Sequence, residues 1–525
     1  MITAAEQPKK AYPIGIQTFS EIIESKCLYI DKTEYIYKMT RPGAKYFFLS
    51  RPRRFGKSLL LSTLRAYFEG RKDLFKGLAL ERLETEWNVY PVLHFSLSTI
   101  NSATKENILS GLNVKLAEYE KLYGKDSNQV LPGERLEGII ERAYKQSGQK
   151  VVVLIDEYDS PLLNVIDEEE KLSETRDIML NFYSPLKDCD PYLRFVFITG
   201  ITKFSQLSIF SKLNNLKNIS MLPDYGGICG ISEEEIQTQM KDDLELLAKR
   251  LEISPEETFA KLKEQYDGYH FAWPSDDIYN PFSLLSAFDA GRINSYWFET
   301  GTPSSLIKLL KKYEMAPQEI GPVELFSDSF DAPVENMEKI TPVLYQSGYL
   351  TIKGYDPELE IYTLDIPNKE VKIGLMRALL KNYISPSEKA DSFISQICKN
   401  LSRDNMDESL RLLKVFLSTI PYCSHVNSEG HYQQMLYVIF SLLGKYSSID
   451  VEVRTAQGRV DMVLRTKQKL YLVEVKMNQD AKKALEQINL KDYSSRFALS
   501  HLPIVKVGIN FDAKKRTLSD WVIES

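Results

Sequence analysis

The sequence predicts an α/β protein in three parts: a largely parallel sheet core, a helical and winged-helix-like middle, and a compact α/β module at the end. Three observations predict it. Between Tyr46 and about position 220, apolar runs of strand length alternate with helical patterns, as in a parallel sheet covered by helices. From about Ser232 to Phe330, acidic helical segments dominate. After position 420, one helical pattern precedes three strand-like runs.

The first part, residues 1–235, contributes Tyr46–Leu49, Val92–Phe95, Val151–Ile155 and Phe195–Ile198 as strands, with Ser58–Phe68 as a helix behind the first. The five-residue apolar run Val151–Ile155 fits a strand buried on both faces. The second part, 236–370, is broken by the aromatic stretch Tyr266–Phe282. It then reads as a short helix, Ile340–Tyr349, and a hairpin, Leu350–Lys353 with Glu360–Leu364, turning around Gly354–Pro357. Residues 371–420 read as a helical linker. The third part, 421–525, places the helix His431–Leu443 before strands at Val451–Arg454, Arg459–Leu464 and Leu470–Lys476.

Composition narrows the class. A chain of 525 residues has room for roughly three domains, and 43% hydrophobic with 26% charged residues is an ordinary globular balance. No apolar stretch approaches the ~18 residues of a membrane span, and the first ten residues hold no signal-peptide core, so a cytoplasmic protein without membrane contact is expected. Cys27, Cys189, Cys229, Cys398 and Cys423 lie apart without CxxC pairs, which favours reduced, mostly buried thiols. The histidines at 94, 270, 425, 431 and 501 have no i, i+4 pairing, so a histidine metal centre is not expected. Residues 421–525 carry 15 basic and 11 acidic side chains within a chain of net charge −6. That asymmetry fits a nucleic-acid contact or a plain solvated surface.

The first chemical motif is Ser50-Arg51-Pro52-Arg53-Arg54-Phe55-Gly56-Lys57-Ser58, between an apolar strand and an amphipathic helix. In that setting the helix amides cradle phosphate, Lys57 reaches the β- and γ-phosphates, and the Ser58 hydroxyl ligates magnesium. Arg54, Phe55, Gly56, Lys57 and Ser58 are therefore expected to bind ATP, with Mg. The pattern asks for glycine at position 51, where arginine stands, so the first turn must form without a residue tolerant of unusual dihedrals. The strand Val151–Ile155 leads into Asp156 and Glu157. Asp156 is expected to hold magnesium and Glu157 to polarise the attacking water; a core strand ended by a helix-capping acid is the plainer alternative. Thr199 is expected to sense the γ-phosphate or simply to cap its strand. Arg41, Lys45, Arg51, Arg53, Arg54 and Lys57 form a basic cluster in which the arginines cannot all face one nucleotide. The surplus faces water, a neighbouring subunit or DNA. Tyr266, Tyr269, Phe271 and Trp273 read as an aromatic core around Gly268 rather than a base-stacking platform.

The strings Phe48–Ser58, Asp156-Glu157-Tyr158-Asp159, Ile198–Ser205 and Tyr266-Asp267-Gly268-Tyr269 resemble the bacterial AAA-ATPase-like family. The likeness spans roughly residues 10 to 300. It implies a P-loop NTPase core of the additional-strand type, akin to the STAND class, a following helical and winged-helix-like region, and a C-terminal nuclease-like domain. Arginine in place of the first loop glycine resembles a trait of that family.

In the last part, Asp461 is followed after twelve residues by Glu474-Val475-Lys476. Strand alternation puts Glu474 and Lys476 on one face. If a hairpin brings Asp461 alongside, two carboxylates and an ammonium converge, the set that binds Mg and polarises a water against a phosphodiester, with Lys476 orienting that water or stabilising the developing charge. This arrangement resembles the PD-(D/E)xK nuclease superfamily over about residues 420–525, a restriction-endonuclease-like α/β domain. Gln487, on a helix Gln479–Leu490, matches a supporting Gln of that superfamily. The superfamily's further acid on the preceding helix has Glu429 as its nearest candidate here.

The expected function is an ATP-binding, ATP-hydrolysing protein that couples nucleotide state to Mg-dependent cleavage of nucleic acid. Its site residues are Glu157, Asp461, Glu474, Lys476 and Gln487 for catalysis, and Ser58, Asp156, Asp461 and Glu474 for metal. The rival is a non-catalytic nucleotide switch or scaffold whose last domain only holds nucleic acid or a partner. Oligomerisation is left open.

Overall fold

The computed structural model describes residues 10–203, 215–300, 304–334, 338–383, 388–418, 429–445, 450–452, 461–490, 501–515 and 517–525. The chain forms two compact units, Met1–Gly301 with Pro322–Asn368, and Thr302–Gly321 with Lys369–Ser525. Among the described residues no helix is long and apolar enough to cross a membrane. Cys27, Cys189, Cys229 and Cys398 are free and buried; Cys423 lies outside the described residues.

The first unit is built on a parallel five-stranded sheet of β1 (Tyr46–Ser50), β2 (Val92–Ser96), β3 (Val151–Asp156), β4 (Leu193–Gly200) and β5 (Lys217–Asn218), in the order β2-β3-β4-β1-β5. All six residues of β3 are buried, as its unbroken Val/Leu/Ile run requires. β4 lies between the loop-bearing β1 and the acid-bearing β3, the extra strand that the family resemblance implies. The helix Lys57–Phe68 buries Leu60, Leu61, Leu64 and Phe68 and packs toward β2, β3 and β4. Each such side chain is worth about 1.5–3 kcal/mol of burial.

The helical middle starts its helices where the sequence supplies caps. Ser232 and Glu235 form a capping box on Glu233–Gln239. Ser254 caps Pro255–Tyr266, and Asn280 caps Pro281–Ala290, each with proline at the first turn. The short strands β6 (Ile231–Ser232) and β7 (Ile278–Tyr279) pair antiparallel beside them. Tyr266, Tyr269 and Phe271 are buried, in line with the core reading, while Trp273 is half-buried against His270.

The winged element differs from expectation in two respects. Its hairpin is present, but β9 (Thr351–Asp356) continues through Gly354, so the turn into β10 (Ile361–Asp365) falls at 357–360. A third strand, β8 (Val323–Phe326), joins β10 on its other edge. The short helix is Thr341–Gln346.

The second unit carries a five-stranded sheet in sequence order: β11 (Asp450–Glu452), β12 (Met462–Arg465), β13 (Leu470–Met477), β14 (Ile504–Asp512) and β15 (Thr517–Glu524). Only β13 and β14 are parallel, and the helix Ala481–Leu490 makes their crossover. Helices Lys369–Tyr383, Glu388–Leu401, Met406–Ser418 and Glu429–Ser441 belong to this unit. The stretch 453–460, part of two expected strands, lies outside the described residues, as do Phe204, Ser205 and His425.

Candidate nucleotide and nuclease sites

β1 hands the chain to the loop Arg51–Gly56, and Gly56, at φ 95°, caps the helix Lys57–Phe68. Its open N-terminal amides face a cavity of about 530 Å³ lined by Arg53, Arg54, Gly56, Lys57, Ser58 and Glu157. Lys57 is 7% exposed, and its ammonium donates to the carbonyls of Arg51 (2.9 Å) and Pro52 (3.0 Å). Burial lowers its pKa, against the pull of the Asp156 and Asp159 charges. Asp156, 4% exposed, leaves its Oδ1 without a hydrogen-bond partner. Glu157 holds a left-handed backbone (φ 52°), and its pKa is raised by burial and by the neighbouring Asp156. A non-glycine residue in that region commonly marks a functional constraint.

Three side chains at the loop turn into the core. The ring of Phe55 packs edge-on against Tyr269 (4.8 Å) and Phe271 (5.1 Å), which leaves this residue only its backbone for the cavity. Thr199 is fully buried, and its hydroxyl donates to the Leu49 carbonyl at 2.7 Å, so it bolts β4 to β1 and does not line the cavity. Arg51 faces neither water nor a surface: it is 1% exposed inside the unit. Its position does not need glycine either, because the loop's left-handed residues are Arg54 (φ 68°) and Gly56. Arg54 lays its guanidinium 4.8 Å from the Phe282 ring centroid at the cavity wall.

One residue with no expected role stands at the cavity. Asp159 is buried, and its Oδ2 accepts from the amides of Ile201 (2.9 Å) and Thr202 (2.6 Å) and from the Thr202 hydroxyl (2.8 Å). Its Oδ1 has no hydrogen-bond partner, and burial raises its pKa. Gly200 makes the approach possible, since a Cβ there would collide with this carboxylate. The signal was an acid three residues beyond Asp156, opening the helical turn Ser160–Leu163.

In the second unit, pairing of Met462 with Val473 brings Asp461 beside Glu474. The Asp461 amide donates to Glu474 Oε2 (3.3 Å), and the Val475 amide donates to Asp461 Oδ2 (2.8 Å). Glu474 is fully buried; Lys476 Nζ lies 3.1 Å from its Oε1, and the Gln487 amide donates to the same oxygen. Burial, with the Asp461 charge, pushes the Glu474 carboxyl up to about 7, against the pull of Lys476. Gln487 reaches this point because its helix lies close on β14 at Gly508, which pairs with Glu474. All four expected residues are thus brought together. The backbone at Glu429 starts its helix, but its side chain lies outside the described residues.

A parallel core with a phosphate loop and strand-end acids, joined to a second sheet bearing an Asp/Glu/Lys cluster, defines a P-loop nucleotide-binding protein with a nuclease-type domain. The family model described as "Predicted AAA-ATPase" matches residues 13–210, and that of the PD-(D/E)XK nuclease superfamily matches 427–521. The chain is 33% identical over 534 residues to an Azotobacter chroococcum mcd 1 protein described as "Uncharacterized protein in vnfD 5'region", over 98% of this chain and 99% of that one. The chain belongs to the AAA-ATPase-like family and carries a PD-(D/E)XK nuclease-superfamily domain at its C-terminal end.

Proposed function

We propose that the protein binds and hydrolyses ATP at the cavity of the first unit, and that nucleotide state controls magnesium-dependent cleavage of nucleic acid by the second. The observation that carries the reading is the buried Glu474. Taking an acid out of water costs several kcal/mol, and a hydrophobic residue would serve packing better. An acid kept there beside Asp461, Lys476 and Gln487 is best understood as a ligand and orienting group.

In the first unit, the partnerless Asp156 Oδ1 and the cavity-facing Ser58 suit a magnesium ion, which would neutralise triphosphate charge. Lys57 would exchange its two loop carbonyls for phosphate oxygens. Glu157, its proton affinity raised, suits the acceptance of a proton from the attacking water. In the second unit, Asp461 and Glu474 would hold a divalent cation, which supplies Lewis-acid polarisation when bound. Lys476, 3.1 Å from Glu474, would meet the charge that develops on the phosphodiester, and Gln487, donating to the same carboxylate, would fix the Glu474 rotamer.

The test uses the full chain with plasmid DNA or RNA, magnesium, and ATP present or absent. Glu474→Ala is expected to lower cleavage on the order of 100-fold or more while sparing ATP turnover. Lys57→Ala is expected to abolish ATP binding and the ATP dependence of cleavage. Cleavage that survives Glu474→Ala refutes the assigned site. Retention of nucleic acid without any cleavage would favour a nucleotide-dependent binding switch.

A further inference from the structure

Position 51 is where a phosphate loop ordinarily has its first glycine, and here it holds one of the largest fully buried side chains in the protein. The Arg51 guanidinium spends its two Nη groups on backbone, while its buried Nε has no hydrogen-bond partner. Nη1 donates to the carbonyls of Ser50 (2.9 Å) and Ser220 (2.8 Å), and Nη2 donates to that of Tyr225 (3.1 Å). Its carbon lies 4.3 Å from the Phe271 ring centroid. Among the described residues it forms no ion pair. Burial lowers its pKa to about 10, which leaves it a cation at neutral pH.

The main chain of the same residue does a second thing. Its amide donates to the Gly200 carbonyl at the end of β4, and its carbonyl accepts from the Lys57 ammonium. The neighbours divide in the same sense. Pro52 abuts the bare Cα of Gly348, where a Cβ would come within 2.8 Å, and Phe55 sits between Tyr269 and Phe271. Residues 53, 54 and 56 to 58 face the cavity instead. Half of the loop is therefore gripped from the core while the other half is presented.

We propose that Arg51 is a positioning residue of the nucleotide site: its side chain pins the loop to the 220–225 backbone and to Phe271, and so sets one of the two carbonyls that hold Lys57. The inference rests on the ATP-binding reading given above. A buried guanidinium is an expensive filler, since a Met or Leu of similar volume avoids its desolvation cost. The planar fork explains its retention: it reaches carbonyls of three residues and lies over a ring at once, which a point-charge ammonium cannot do.

The decisive variant is Arg51→Gly, which turns the loop into the common G-x-x-x-x-G-K-S pattern. Pattern alone predicts that it binds nucleotide as well as the parent; the pinning role predicts the reverse. Calorimetric titration with magnesium–ATP is expected to show at least tenfold weaker binding for Arg51→Gly and an intermediate loss for Arg51→Lys, with KM for ATP rising more than kcat falls. Phe271→Leu, which keeps an apolar side chain but removes the ring, is expected to weaken binding at least threefold. Should Arg51→Gly fail to fold, Phe271→Leu decides, threefold or greater weakening supporting the proposal. Affinities within twofold of the parent overturn it, even if the melting temperature drops, because that is the signature of a purely structural residue. A parent that binds no ATP defeats the nucleotide reading itself, a result plainly different from a parent that binds and variants that match it.

Discussion

Asp267 ends the helix Pro255–Tyr266 at 2% exposure, with the Lys263 ammonium 4.0 Å from its nearer oxygen and the acids Asp277 and Glu233 also acting on it. Burial dominates, and its pKa rises from the usual carboxylate value to about 6. The sign follows from proton counting. Between about pH 4 and 6 the folded protein keeps a proton that the unfolded chain has lost, so stability falls as pH rises through this window and levels off above it. Two pH units correspond to about 3 kcal/mol at most. Asp267→Asn keeps the shape and removes the titration. Urea unfolding at pH 7 should find it more stable than the parent by about 1–3 kcal/mol, converging below pH 4; equal stability at both pH values would remove the burial argument. At this scale the sequence was legible where strand pairing fixes neighbours: Asp461, Glu474, Lys476 and Gln487 meet as their spacing suggests, and Lys57 stands at the loop cavity. It was silent on side-chain direction at Thr199, Phe55 and Arg51. Nothing local to those three tells whether a strand-end hydroxyl meets a phosphate or a neighbouring carbonyl, or whether a loop side chain turns outward or into the core.

Among elements, β1, β3, β4 and β13 were read from unbroken apolar runs, since burial on both faces leaves a plain signature, whereas β2, with His94 and alternating burial, and β9 to β12 were read from shorter or mixed patterns. β14 and β15 escaped because Lys506, Gly508 and Asn510 interrupt the first, while Ser519 and Asp520 make the second read as polar. The interruptions have uses. Asn510 donates to the Gln479 carbonyl and to Ser519, and Asp520 accepts the Ala481 amide, fixing the start of the crossover helix. Gly508 lets that helix close on the sheet: a Cβ would meet the Ala481 carbonyl and come within 2.9 Å of the Leu485 amide, both backbone atoms that cannot rotate away. Gly508→Ala should therefore cost about 1–3 kcal/mol in urea unfolding, as overpacking does. It should also lower metal-dependent cleavage more than that loss explains, because the helix carries Gln487. Cleavage at the parent level in a correctly folded Gly508→Ala protein would show that the helix position is not critical.

Across the whole molecule, the chain passes between the two units three times, after residues 301, 321 and 368. The winged segment Pro322–Asn368 belongs to the first unit, yet both of its ends continue directly into segments of the second. On the coupling proposed above, a displacement of this segment would be passed to the second unit through covalent chain. The nucleotide cavity has a hydrogen-bonded route to it. Cavity-lining Asp159 holds Thr202; next along the chain, the Lys203 amide donates to Gln346 Oε1 (2.7 Å), and its ammonium pairs with Asp331 (2.8 Å). The Val334 amide closes the set by donating to the Lys203 carbonyl. Coupling between sites is a free-energy difference carried by such contacts, and breaking them should leave each activity standing while severing the influence of one on the other. Lys203→Met keeps the aliphatic stem and removes the pairing with Asp331. It is expected to hydrolyse ATP within about threefold of the parent and to cleave nucleic acid at a rate that no longer responds to ATP, at a coupling loss on the order of 1–3 kcal/mol. Parallel assays of ATP turnover and cleavage across an ATP titration read both quantities on one preparation. An unchanged ATP response in Lys203→Met would mean that the nucleotide's influence reaches the second unit by another part of the fold.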